Sequence, residues 1–107
     1  MKFGGNVENL IKQAGKIKER LEKLQEEIGE RTVEASAGGG MVTATAKARG
    51  EIVEIKIDPE IVKEGDIEML QDLIVAAVNE ALLRGRKVMQ EEISKTAMSM
   101  GLPPGII

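Results

Sequence analysis

The sequence has no cysteine, histidine, tryptophan or tyrosine, and Phe3 is its only aromatic residue. Without cysteine there are no disulfides and no thiolate chemistry, a composition that fits a reducing compartment. Catalysis would have to come from carboxylates and lysines alone, and the conspicuous carboxylates Glu51, Glu54 and Asp58 read more simply as the solvent side and end of a strand. No stretch approaches the ~20 apolar residues of a membrane span, and the N-terminus has no apolar signal-peptide core. Lys+Arg 15 against Asp+Glu 18 leave a net charge of −3, so no global basic field announces nucleic acid. These absences predict one cytoplasmic, non-enzymatic domain over residues 1–107, with no cofactor, no metal site, no membrane contact and no small-molecule substrate.

What is present begins with glycine. Gly38-Gly39-Gly40 is not followed by the helix, or by the Lys and Ser/Thr, of a phosphate-binding loop. It is followed by Val42, Ala44, Ala46 and Ala48 alternating with Thr43, Thr45 and Lys47, the period of a strand. The run therefore reads as a turn, since glycine tolerates the positive φ of tight hairpins. Thr32 to Ala37 supplies the strand before it and Met41 to Ala48 the strand after it. Arg49-Gly50 marks the next reversal, after which Val53, Ile55 and Ile57 are expected on one face and Glu54 and Lys56 on the other. Asp58-Pro59-Glu60 ends the sheet, because proline cannot extend a ladder.

Helices flank these strands. Asn6 is a candidate N-cap for a first helix from Val7 to about Ile28, with Val7, Leu10, Ala14, Ile17, Leu21, Leu24 and Ile28 forming a narrow seam that stops at Gly29. Asp66 caps a second helix running toward Met100, whose apolar arc covers about half the circumference. Such an arc exceeds what a three-stranded sheet can cover. A second copy of the chain is the expected cover for the remainder and for the first helix's seam. Gly101, Pro103, Pro104 and Gly105 mark a non-helical tail.

Charge on the first helix is segregated. Lys12, Lys16, Arg20 and Lys23 fall within an arc of about 80°, away from the apolar seam, while Glu8, Glu19, Glu22 and Glu26 form a neighbouring stripe. The basic stripe is about 16 Å long. It reads either as a solvated face with Glu19-Lys23 pairing or as a surface for a polyanion. Arg84, Arg86 and Lys87 add a second, more dispersed basic cluster.

The runs Thr32 to Val42, Gly50-Glu51-Ile52, Ile55 to Glu60 and Leu70 to Ala81, with the closing Gly101 to Gly105, resemble the YbaB/EbfC family of bacterial nucleoid-associated proteins. The similarity spans nearly the whole chain. It implies an α+β fold made of a helix, a three-stranded antiparallel sheet of two hairpins and a long C-terminal helix. It also implies a tweezer-like homodimer that binds double-stranded DNA in the nucleoid without enzymatic activity. The DNA-binding candidates are then Lys12, Lys16, Arg20, Lys23, Arg84, Arg86 and Lys87, acting on the DNA backbone with little base reading. The order helix, two hairpins, helix also resembles a prefoldin-type subunit. In that alternative, Met89, Met98 and Met100 serve as adaptable contacts of a protein-interaction module or holdase.

Overall fold

The structure, a computed structural model, describes residues 2–101, with side chains from Val7 onward. The proline-containing part of the tail lies outside the described residues. The order is α1 (Lys2–Gly29), β1 (Thr32–Ala37), β2 (Val42–Lys47), β3 (Glu51–Ile57), α2 (Pro59–Glu64) and α3 (Ile67–Ser99). The sheet is antiparallel in the order β1-β2-β3, the two hairpins expected of an α+β chain.

The glycine run is a turn. Gly38, Gly39 and Gly40 have φ of +65°, +67° and +95°, a region closed to most side chains. Gly38 is confined further, because a Cβ there would stand 2.9 Å from Leu73 Cδ2 on α3.

On β2, burial alternates as the sequence does, with Val42, Ala44 and Ala46 inside. β3 departs from its expected pattern. Its register shifts between Thr45 and Ala46, so that Glu54 faces Thr45 while Ile52 faces Ala46, leaving Val53 as the extra residue of a bulge. The bulge resets the alternation. Ile52, not Val53, is the half-buried residue of β3, packed against the core, while Ile55 and Ile57 keep their places opposite Ala44 and Val42.

Two helix boundaries also differ from expectation. α1 begins at Lys2, so Asn6 lies within it rather than capping it; Gly4 and Gly5 weaken a helix by about 1 kcal/mol each but do not break it. The segment after the sheet is a short helix of its own. Asp58 accepts a hydrogen bond from the Glu60 N–H at 2.9 Å, Pro59 occupies the first turn, and Gly65 ends the helix at φ +74°. Asp66 caps α3 as expected, accepting from the Met69 N–H at 3.0 Å.

α3 lies across β1 and β2 and reaches β3 only slightly. The centre of its contact is made of small residues: Ala77, Ala81 and Gly85, spaced by four, meet a surface that includes Ala35, Ala44, Ala46 and Ala48, with Leu70, Leu73, Ile74, Val78 and Leu82 packed around it. Small side chains let the helix axis approach the strands closely. Beyond Gly85 the helix leaves the sheet, and Val88, Met89 and Ile93 pack with Leu21, Leu24 and Ile28 of α1.

A ridge spaced by four drifts about 40° per step around a helix, so the buried face rotates from the sheet toward α1 between Ala77 and Ala97. That rotation accounts for part of the wide apolar arc. The C-terminal half of the α1 seam is thus covered by the chain's own α3, and only its N-terminal half is open, with Val7 at 51% and Leu10 at 64% exposure. The molecule is 78 Å long and 20 Å across, with a radius of gyration of 20.8 Å against the roughly 13 Å of a compact chain of this length.

Candidate nucleic-acid interface

α1 runs from the sheet as a projecting arm, anchored at its C-terminal end. Gly29 accepts a hydrogen bond from the Arg49 N–H at 3.2 Å, and Arg31 accepts one from the Ala48 N–H at 2.8 Å. Leu21, Leu24 and Ile28 fix the rotation of the arm by facing α3. Lys12, Lys16, Arg20 and Lys23 therefore point away from the protein, and all four are exposed.

Ion pairing divides the basic residues into two groups. Arg31, Lys47, Arg49, Lys56, Lys63, Arg84 and Lys95 each lie within 4.0 Å of a carboxylate oxygen. Among the described residues, no salt bridge involves Lys12, Lys16, Lys18, Arg20, Lys23, Arg86 or Lys87. The Glu19-Lys23 pair allowed by spacing does not form. The stripe is thus a row of cations with no internal counterions, and phosphate oxygens can take that role without displacing a carboxylate.

Within the second cluster, Arg84 is engaged inside the fold whereas Arg86 and Lys87 are not. Arg84 bonds Glu80 at 3.3 Å and donates to the backbone carbonyl of Glu34 at 2.8 Å, so it ties α3 to β1. Arg86 and Lys87 are exposed and unpaired on α3, near where it leaves the sheet.

The opposite charge has its own place. A groove between α1, the β2–β3 turn and α3 is lined by Glu22, Gln25, Glu26, Gly29, Glu30, Arg49 and Met89. The Glu30 carboxyl is held below its usual range by the hydrogen bond from Lys47 and by the charge of Arg49. The Arg49 guanidinium is pushed up by its hydrogen bond to Glu51 and by Glu30. With three glutamates against one arginine, this groove carries net negative charge, opposite in sign to the outer face of the arm.

The sequence profile of the YbaB/EbfC DNA-binding family matches residues 3–100. The chain belongs to that family. It is 55% identical to a nucleoid-associated protein of Acetivibrio thermocellus over 97% of this chain and 92% of that protein. It is 52% identical to a nucleoid-associated protein of Moorella thermoacetica over 92% and 95% of the two chains. Its fold is similar to the crystal structure of the uncharacterized protein HP0035 from Helicobacter pylori, with a TM-score of 0.63 and 26% identity, covering 94% of this chain and 97% of that one.

Set beside the YbaB/EbfC assignment, the methionines fit poorly as a shared client-binding surface. Met89 packs into the α1–α3 core, Met100 is half-buried at the end of α3, and Met98 is exposed at 57%. Lys18 is also exposed and unpaired, but it lies off the stripe beside the apolar face, where periodicity does not group it with the other cations.

Proposed function

We propose that this YbaB/EbfC family member is a nucleoid-associated protein that binds duplex DNA as a homodimer, mainly through backbone electrostatics, and that it organises the nucleoid or influences gene expression. The observation that carries the reading is the row Lys12, Lys16, Arg20 and Lys23, exposed, free of salt bridges and segregated from the glutamates on a projecting helix. The row spans about 16 Å, the axial length of about five phosphates on one strand. Arg86 and Lys87 extend the charge along α3, and Arg84 contributes mainly through its hold on the sheet. Contacts of this kind act on the backbone, so binding is strongly salt-dependent and weakly sequence-selective.

The dimer is supported by β3. This strand is an edge, α3 hardly covers it, and Val53, Ile55 and Ile57 are exposed at 45%, 41% and 37%. Ile55 and Ile57 sit opposite Ala44 and Val42, so they continue the apolar face of the core past the reach of α3. A second copy placed there buries that face and presents two basic arms in tweezer fashion.

The test is fluorescence anisotropy of labelled duplex DNA, titrated with the protein at several salt concentrations. The expected result is binding that weakens steeply as salt rises. A protein that ignores DNA and captures unfolded polypeptide with little response to salt would instead be a prefoldin-like holdase.

A further inference from the structure

We propose that the free part of α1, from Val7 to Lys16, is a helix that frays in the free protein and is held by DNA, and that Gly15 sets the affinity by keeping that helix marginal. The inference rests on the DNA-binding reading above.

Helices are held by packing, by ion pairs and by intrinsic propensity; this segment is poor in the first two, and Gly15 lowers the third. Val7, Leu10 and Ile11 are exposed at 51%, 64% and 65%, and among the described side chains of the arm Ile17 is the first to be even half-buried. Among the described residues, no salt bridge involves a residue before Glu30, and the first turn of α1 holds no acidic residue to offset its dipole. Lys12 and Lys16, and Lys16 and Arg20, are like charges four apart, which weakens a helix.

Gly15 adds a propensity cost with no packing reason, because a Cβ there would meet nothing within 4 Å. A helix segment shorter than about 12–15 residues without tertiary support is marginal in water. Phosphates reverse one of these terms by screening the lysines from one another. They can engage the four cations together only when helical spacing places them in one row. Binding and helix formation therefore favour each other, and the apparent Kd is the intrinsic Kd divided by the helical fraction. Gly15 lies about 95° around the helix from the middle of the basic row, so an added methyl group there makes no phosphate contact.

The test pairs Gly15→Ala with Ala14→Gly, both at exposed positions of the same turn. Gly15→Ala should tighten duplex binding by up to about fivefold, the equivalent of about 1 kcal/mol, with the salt slope unchanged. Ala14→Gly should weaken binding by a similar factor. Circular dichroism at 222 nm should show helix gained by the wild type on adding duplex, and less gained by Gly15→Ala, which starts more helical. Wild-type affinity in both variants with no helix gained on DNA would overturn the coupling. A changed salt slope in Gly15→Ala would overturn it differently, by showing that position 15 touches the duplex. If the wild type binds no duplex at any salt, the DNA-binding reading itself falls, and the coupling with it.

Discussion

Gly85 is buried where α3 crosses the end of β2, and replacing it tests the packing that aims the arms. A Cβ at this position would stand 3.2 Å from Ala48 Cα and 3.3 Å from Lys47 O, closer than ordinary van der Waals contact. Both neighbours are backbone, and Ala48 is tethered through its N–H to the Arg31 carbonyl at 2.8 Å, so neither can swing aside as a side chain would. For Gly85→Ala, the helix gains about 1 kcal/mol in propensity and loses about 1–3 kcal/mol to overpacking, leaving a net loss of up to about 2 kcal/mol. Gly85→Val adds two methyl groups to the same space and loses most of the propensity gain, so the cost should be about 2–3 kcal/mol or more. For a domain of this size, 1 kcal/mol shifts Tm by about 4–8 °C, so the valine variant should melt roughly 10–20 °C lower. The assay is thermal unfolding followed by circular dichroism, with protein concentration fixed because a dimer's Tm depends on it. Gly85→Val melting with the wild type would refute close helix–strand packing at this point.

Two further predictions concern assembly and acid stability. Ile55→Lys places a charge in the exposed apolar face of β3 and should convert a species of twice the 11.6 kDa chain mass into monomer in sedimentation equilibrium; an unshifted dimer would move the interface elsewhere. Because the Glu30 carboxyl is held below 4.5 by Lys47 and Arg49, its contribution to stability is present above about pH 4.5 and is lost as pH falls through the lowered folded value. Glu30→Gln should therefore be less stable than the wild type in denaturant melts at neutral pH and indistinguishable from it in strong acid, and an equal gap at both pH values would count against the ion pairs.

Legibility followed the range of the interaction. The glycine turn, β1, β2 and the Asp66 cap were readable because each is decided by neighbours within a few residues. α2 was equally local, since Asp58-Pro59 is a helix start, but it was hidden by reading proline only as the end of a strand. The β3 bulge was not readable, because an extra residue shows only when a partner strand is alongside, and Ile52-Val53 offers two apolar residues for one inward place. The α1–α3 contact was missed for a related reason. A seam records that a helix is covered, not what covers it, and here half of the cover is Val88, Met89 and Ile93 of the same chain. For the candidate site, the basic stripe followed from helical periodicity. Which cations are free did not, because Arg84 is engaged by the Glu34 carbonyl across 50 residues of sequence.

The central claim is that the outer row of α1 neutralises phosphate. Its most direct test is the salt dependence of duplex affinity for the wild type against a Lys16→Gln, Arg20→Gln double variant, whose changed side chains are exposed, unpaired and turned from the packed seam. Dimer mass should be unchanged, and helix content should be equal or slightly higher, because the variant removes the like-charge neighbours Lys12–Lys16 and Lys16–Arg20. Affinity should fall by a similar factor on unrelated duplex sequences, and the log–log salt slope should become shallower by about 1.8 for each arm engaged. The ratio of wild-type to variant affinity should then shrink about twelvefold per arm between about 50 and about 200 mM salt. Equal affinities and equal slopes for the two proteins would contradict the claim and leave the row as a solvated face.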